Sequence, residues 1–183
     1  MDTHTANTNT TIEEFLAQIR SSDAEARYKA WQSAGPMGAA AIQPLSDLAA
    51  GEDKLVALAA NGAMEKIAHY AARPGTGNAA EAVSKELLKV ADSPRPRMVR
   101  TNLLRLVGFI ADSRSIPGLV QLLSDPEIRE DARLALEKIP GNAATEAFKK
   151  AVKTVPADFQ PNIRQSLSNR AMTPKTVGTL PAR

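Results

Sequence analysis

The sequence predicts an all-α protein: about five antiparallel helix pairs stacked as a right-handed α-α superhelix. Composition points there. Of the 79 apolar residues in 183, 32 are Ala and 17 are Leu, and only seven residues are aromatic. Ala and Leu are strong helix formers, whereas strands favour β-branched and aromatic side chains. Self-similarity points there too. Asp125–Ile139 carries apolar residues at 128, 132, 135, 136 and 139, one face of a 3.6-period helix, and this pattern recurs along the chain. Turn residues fall between the recurrences.

The pairs follow in order. Ile12, Phe15, Leu16 and Ile19 form the first helix, and Ala26, Arg27, Ala30, Ser33 and Ala34 the second, entered at Asp23. Ile42, Leu45 and Leu48 precede Val56, Ala60, Ala63, Met64 and Ile67, entered at Asp53. Val83, Leu87, Leu88 and Val90 precede Val99, Arg100, Leu103, Leu106, Val107 and Ile110. Ile116, Leu119 and Leu122 precede the Asp125 segment. Ala144, Phe148, Ala151 and Val152 precede a weaker match at Ile163, Arg164 and Leu167. Equivalent positions 27, 57, 100, 129 and 164 are spaced by 30, 43, 29 and 35 residues. The long interval holds a helix reaching Tyr70–Ala72 and a loop over 73–78.

Asp23, Ser93 and Asp125 are expected N-caps, because their side-chain oxygens can accept orphan amide protons. Pro94 and Pro126 are expected in first turns, and Gly35, Gly51, Gly75 and Gly141 in connectors, with left-handed backbone or a sharp bend. Residues 1–10 are a polar Thr/Asn run, expected to be disordered; 11–170 form the array; 171–183, with Pro174, Gly178 and Pro181, are expected to be a disordered tail. Alanines at 30, 60, 63, 132 and 135 recur at inward positions, where small side chains let helices approach closely. Trp31 and Phe148 fit the core register.

Charge is uneven. Residues 1–91 hold eight Lys and Arg against eleven Asp and Glu; residues 92–183 hold fifteen against nine. The basic half could steer an acidic partner. The start lacks the basic and apolar regions of a signal peptide, and the charge-free run Met37–Ser46 is too short to span a bilayer, so a cytoplasmic protein is expected. No cysteine is present, which excludes disulfides, thiol nucleophiles and Cys-based metal sites. His4 and His69 are the whole imidazole supply, with no His pair at i,i+4, no phosphate-binding Gly-rich loop and no Gly-x-Ser-x-Gly. No metal, no cofactor and no catalytic residue is expected.

The fragment SIPGLVQLLSDPEIREDARLALEKI at 115–139 resembles a HEAT repeat of the short, phycobilisome-lyase-like type. SDAEARYKAW at 22–31 is similar to the second helix of such a repeat, and KIAHYAARPG at 66–75 to a recurring element. Apart from its tails, the chain resembles small bacterial HEAT-repeat proteins of the armadillo-like superfold. The resemblance implies a binding scaffold. Ala57 departs from it, since the repeated arginine is missing there, and the fifth repeat is degenerate.

Three groups are candidate sites. His69, Tyr70 and Arg73 end the longest helix; they could grip an anionic or aromatic ligand, or simply pack and complement the helix C-terminus. Arg27, Arg100, Arg129 and Arg164 occupy one repeat position. With Asp23 and Asp125 four residues ahead of Arg27 and Arg129, they are read as structural, within a helix or as a ladder between repeats. Arg95 and Arg97 are out of register and therefore candidates for a binding surface. Lys149, Lys150 and Lys153 could meet phosphates, or form a soluble capping face with Arg164 and Arg170. The expected function is a non-enzymatic interaction scaffold taking a protein or peptide partner. Nucleic-acid binding through the basic half is the alternative, and a bilin-lyase-like activity, implied only by the resemblance, stands last.

Overall fold

The computed structural model describes residues 11–172, and among these there is helix and no strand. Ten α-helices run as α1 (Ile12–Ile19), α2 (Ala24–Gln32), α3 (Ile42–Ala49), α4 (Lys54–Ala71), α5 (Ala79–Ala91), α6 (Arg97–Ile110), α7 (Ile116–Leu122), α8 (Arg129–Lys138), α9 (Asn142–Ala151) and α10 (Gln160–Met172). Short 3₁₀ turns at Gly35–Met37, Ala39–Ala41 and Ser113–Ser115 lead into α3 and α7. The five expected pairs pack α1 on α2, α3 on α4, α5 on α6, α7 on α8 and α9 on α10. Pairs then stack in two layers. From α3 on, odd helices touch the next odd helix, and even helices touch the next even helix along the whole array. The expected all-α solenoid is what the chain forms.

Local chemistry explains the boundaries. Thr11 and Glu14 close a reciprocal capping box on α1. The Asp23 carboxylate accepts from the amides of Glu25 and Ala26, and that of Asp53 from Leu55 and Val56. Asp125 accepts from the Glu127 amide, one turn ahead of regular helix, so Pro126 sits in the lead-in to α8. The expected cap at Ser93 is corrected. The Ser93 hydroxyl donates to the Val90 carbonyl, closing α5, and α6 begins only at Arg97. A proline disfavours helical backbone in the residue before it. Pro94 and Pro96 therefore keep Ser93 and Arg95 out of the helix, and the chain turns in after Pro96. Of the two backbone forms expected at the connector glycines, the left-handed one occurs at Gly75 and Gly141, φ 85° each, and not at Gly35 or Gly51. α10 runs through Met172, two residues past the expected boundary; the rest of both expected tails lies outside the described residues.

The core is one continuous cluster along the seam between the layers. Ala30, Ala60, Ala63, Ala132 and Ala135 are all buried there, with Leu, Ile, Met64 and Phe148 supplying bulk. Trp31 is corrected: it is only partly buried and packs against the edge of that cluster. Its ring needs more room than an alanine-spaced interface leaves, and it finds that room over Gly62, where an added Cβ would come within 3.0 Å of the indole.

Candidate functional site

Every exposed large hydrophobic side chain among the described residues lies on an even-numbered helix: Tyr28, Leu55, Leu58, Met98, Phe109, Leu134 and Met172. On the odd helices the large hydrophobics are buried or half-buried, so the exposed ones among the described residues are confined to one layer of the solenoid.

The charges on the two halves are used differently. From α6 onward, arginines are built into the array. Arg100, 7% exposed, donates to the Ala91 carbonyl at 2.7 Å and reaches Asp125 at 2.5 Å in the next repeat. Arg129 reaches Asp158 of the following repeat at 2.5 Å. The repeated arginine therefore bridges to the next pair, and the i,i+4 contacts expected for Asp23 with Arg27 and Asp125 with Arg129 are corrected. Burial alone would raise the Asp125 carboxyl, but hydrogen bonds from Arg100 and the Glu127 amide, with the Arg100 charge, hold it below the usual aspartate range. A rung is missing where Ala57 replaces the arginine. Arg164, in the last described helix, is exposed against Gln160, and Arg27 turns to the Ser21 carbonyl.

Arg133 is the strongest such node, and the repeat pattern did not reveal it. Its side chain is 9% exposed, bonded to Glu130, Glu137 and Ser166 from α8 and α10. The hydrogen bond from Arg133 holds the Glu130 carboxyl below the ordinary glutamate value, against desolvation. Arg170, with the phosphate-facing lysines a candidate cation, instead clasps the carbonyls of Glu137, Ile139 and Gly141 at 2.6–2.8 Å. Arg95, expected on a binding surface, is corrected as well: it folds back to Asp47 on α3 at 2.5 Å with its side chain 14% exposed. Arg97 is exposed but donates to the Glu127 carbonyl. Lys149 pairs with Glu146 at 2.8 Å, while Lys150 and Lys153 are exposed at the end of α9.

Two clefts lie along the seam between the parallel helices α2 and α4. The one nearer their N-termini, about 490 Å³, is lined by Tyr28 and Trp31 of α2, Leu55 and Leu58 of α4, and a rim of Arg27, Glu65 and Arg105. Tyr28 meets Trp31 edge-on with ring centres 5.4 Å apart, and Arg105 pairs with Glu65 at 3.6 Å. The other cleft, about 470 Å³, lies towards the C-terminal ends, between Gln32, Ser33, Gly35 and Pro36 on one side and Lys66, His69, Tyr70 and Arg73 on the other. Lys66, His69 and Tyr70 fall on one face of α4, and Arg73 lies two residues past its end. His69, Tyr70 and Arg73, expected together, are together. The Tyr70 side chain is held against Gly35, where a Cβ would come within 2.7 Å of it, and Arg73 lies over its ring with the guanidinium carbon 3.6 Å from the ring centre. Lys66, not singled out from the sequence, stands 5.6 Å over the Trp31 ring and divides the clefts. No carboxylate lines the second cleft, and among the described residues none pairs with Lys66, His69 or Arg73. No group of three or more His, Cys, Asp or Glu that could hold a metal occurs among the described residues, and no described helix is long and apolar enough to cross a membrane.

No protein-family model and no curated protein sequence matches the chain. Among solved structures, a designed armadillo repeat protein aligns at 19% identity over 87% of this chain and 82% of its own, with a TM-score of 0.43. Computationally designed armadillo repeat proteins for modular peptide recognition align at 19% identity over 86% and 81%, TM-score 0.45. An engineered protein aligns at 20% identity over 87% and 79%, TM-score 0.44. These are distant likenesses; the solenoid itself rests on the helix pairing of this chain.

Proposed function

We propose that this protein is a non-enzymatic interaction scaffold that binds a protein or peptide partner on the layer formed by its even-numbered helices. The observation that carries the reading is the segregation of all seven exposed large hydrophobics to that layer. Burying an exposed Leu or Tyr against a partner contributes roughly 1.5–3 kcal/mol, so Leu55, Leu58 and Tyr28 around one cleft are a plausible anchor cluster. The nucleic-acid alternative leans on the basic half, where Arg95, Arg100, Arg129, Arg133 and Arg170 already have partners within the fold. The lyase alternative rests on repeat resemblance alone.

The test is a random 12-residue peptide display selection on the full chain, followed by titration of the selected peptides while watching the fluorescence of Trp31, the sole tryptophan. Selected peptides should bind the wild-type chain and lose most of their affinity for Leu58→Glu, whose side chain is already exposed and whose melting should be unchanged. Peptides indifferent to Leu58→Glu, or no selected peptide at all, would defeat the reading.

A further inference from the structure

The two α2–α4 clefts differ in chemistry, and that difference specifies a ligand. The first offers apolar rings and leucines with a rim whose acid and base, Glu65 and Arg105, answer each other. The second offers Lys66 and His69 on one face of α4 and Arg73 just past its end, with neutral residues opposite. Arg100, Arg129 and Arg133 each have a carboxylate beside them, whereas the cations of this cleft have none. Arg73 is held over Tyr70 by the ring and by its Nε–H, which donates to the Tyr70 carbonyl at 3.4 Å, and its two terminal NH2 groups remain available to a carboxylate. Lys66, leaning over Trp31, can address either cleft.

We propose that the two clefts form one composite site for an extended peptide segment, with an apolar side chain in the Tyr28–Trp31–Leu58 cleft and an Asp or Glu carboxylate in the Lys66–His69–Arg73 cleft. This deepens the partner-binding reading and rests on it. The clefts are centred about ten residues apart on α4, roughly 15 Å at 1.5 Å per residue. Extended chain covers that in about four or five residues. The segment therefore lies along the α2–α4 seam, and its two determinants are separated by that spacing.

The pool selected on the full chain decides it. Peptides that depend on Leu58 should carry an aromatic or long aliphatic residue four or five positions from an Asp or Glu. Replacing that acid by its amide should weaken binding about tenfold, the size of one charge-assisted contact. The Lys66→Ala/Arg73→Ala chain should bind acid and amide forms alike, with the Trp31 fluorescence change on binding retained. Lys66→Glu/Arg73→Glu should select Lys or Arg at the same spacing. Leu58-dependent peptides with no acidic preference, or an acidic preference that survives the double alanine variant, would overturn this proposal while leaving the scaffold reading standing. A pool with no Leu58 dependence removes the scaffold reading and this proposal together. Tighter binding of a (dT)12 oligonucleotide than of the selected acidic peptide at the same cleft would also overturn it.

Discussion

Positive charge is handled in opposite ways at the two ends of the solenoid. The basic half, from α6 to α10, looks like the attractive surface when charges are counted, yet four of its arginines are built into the stack. Arg100, Arg129, Arg133 and Arg170 tie one repeat to the next through carboxylates and helix-end carbonyls. The half with net negative charge holds Lys66, His69 and Arg73 together with no carboxylate among them. Net charge reports on composition; availability depends on which cations the fold has already answered.

The comparison can be broken most forcefully at Glu130 and Glu137. Glu130→Leu/Glu137→Leu strips Arg133 of both its carboxylates, and Ser166 and Asn169 of an acceptor, leaving a nearly buried cation without a counter-charge. Removing one partner of a buried pair costs about 3–5 kcal/mol, and urea unfolding should register a loss of that size. A loss below about 1 kcal/mol would mean that the C-terminal arginines are not structural. Next, Ala132→Leu should overpack the buried face of α8, and Gly35→Ala should drive a methyl into Tyr70; each should cost roughly 1–3 kcal/mol in thermal melts. The glycine change should also disturb the Tyr70–Arg73 stack and so weaken binding of an acidic peptide.

Acid offers a milder probe. Hydrogen bonding from Arg133 depresses the folded-state value of Glu130 below its ordinary 4.5. The contribution is therefore fully present above about pH 4.5 and lost as pH falls through the lowered folded value. Melting temperature should drop more steeply below pH 4.5 in the wild-type chain than in Glu130→Gln; parallel curves would remove Glu130 from the account. Smallest of all, Lys66→Ala/Arg73→Ala should change stability by no more than about 0.5 kcal/mol, as for surface positions away from structural networks. A larger loss in the same melts would show that this cleft is as structural as the other end.

The repeat was legible because burial is periodic. Ile19, Ile67, Val107, Leu136 and Ile163 all mark inward faces at helical spacing, and each is buried. The inward alanines were legible for the same reason. The grouping of His69, Tyr70 and Arg73 followed from spacing on one helix. What lay beyond reach was pairing across the stack. Arg95 finds Asp47 from 48 residues away, Asn102 donates to Asn61 across 41, and neither bond leaves a local pattern. Gly62 gave a faint signal, since a glycine inside a helix commonly marks close packing. Only the structure shows the indole that lies on it. Lys66 was hidden as one more charge on an amphipathic helix until Trp31 and Pro36 appeared across the seam. Ser93 misled because a good capping side chain counts for little when Pro94 and Pro96, on either side of Arg95, hold the backbone extended.

One consequence of the Arg170 clasp concerns the order in which the array comes apart. A linear stack opens from whichever end has the weaker last interface, because each pair is held only by its neighbours. At the C-terminal end a single guanidinium pins α10 to the closing carbonyls of α8 and the start of α9, across 25 to 33 residues of chain. The short α1–α2 pair, whose Arg27 makes no rung to α4, has no such fastening. Fraying should therefore proceed from the N-terminal side, with the amides of α1 exchanging with solvent deuterium well before those of α8. The composite cleft on α2 and α4 then sits beside the end that loosens first, where a bound segment would slow exchange most.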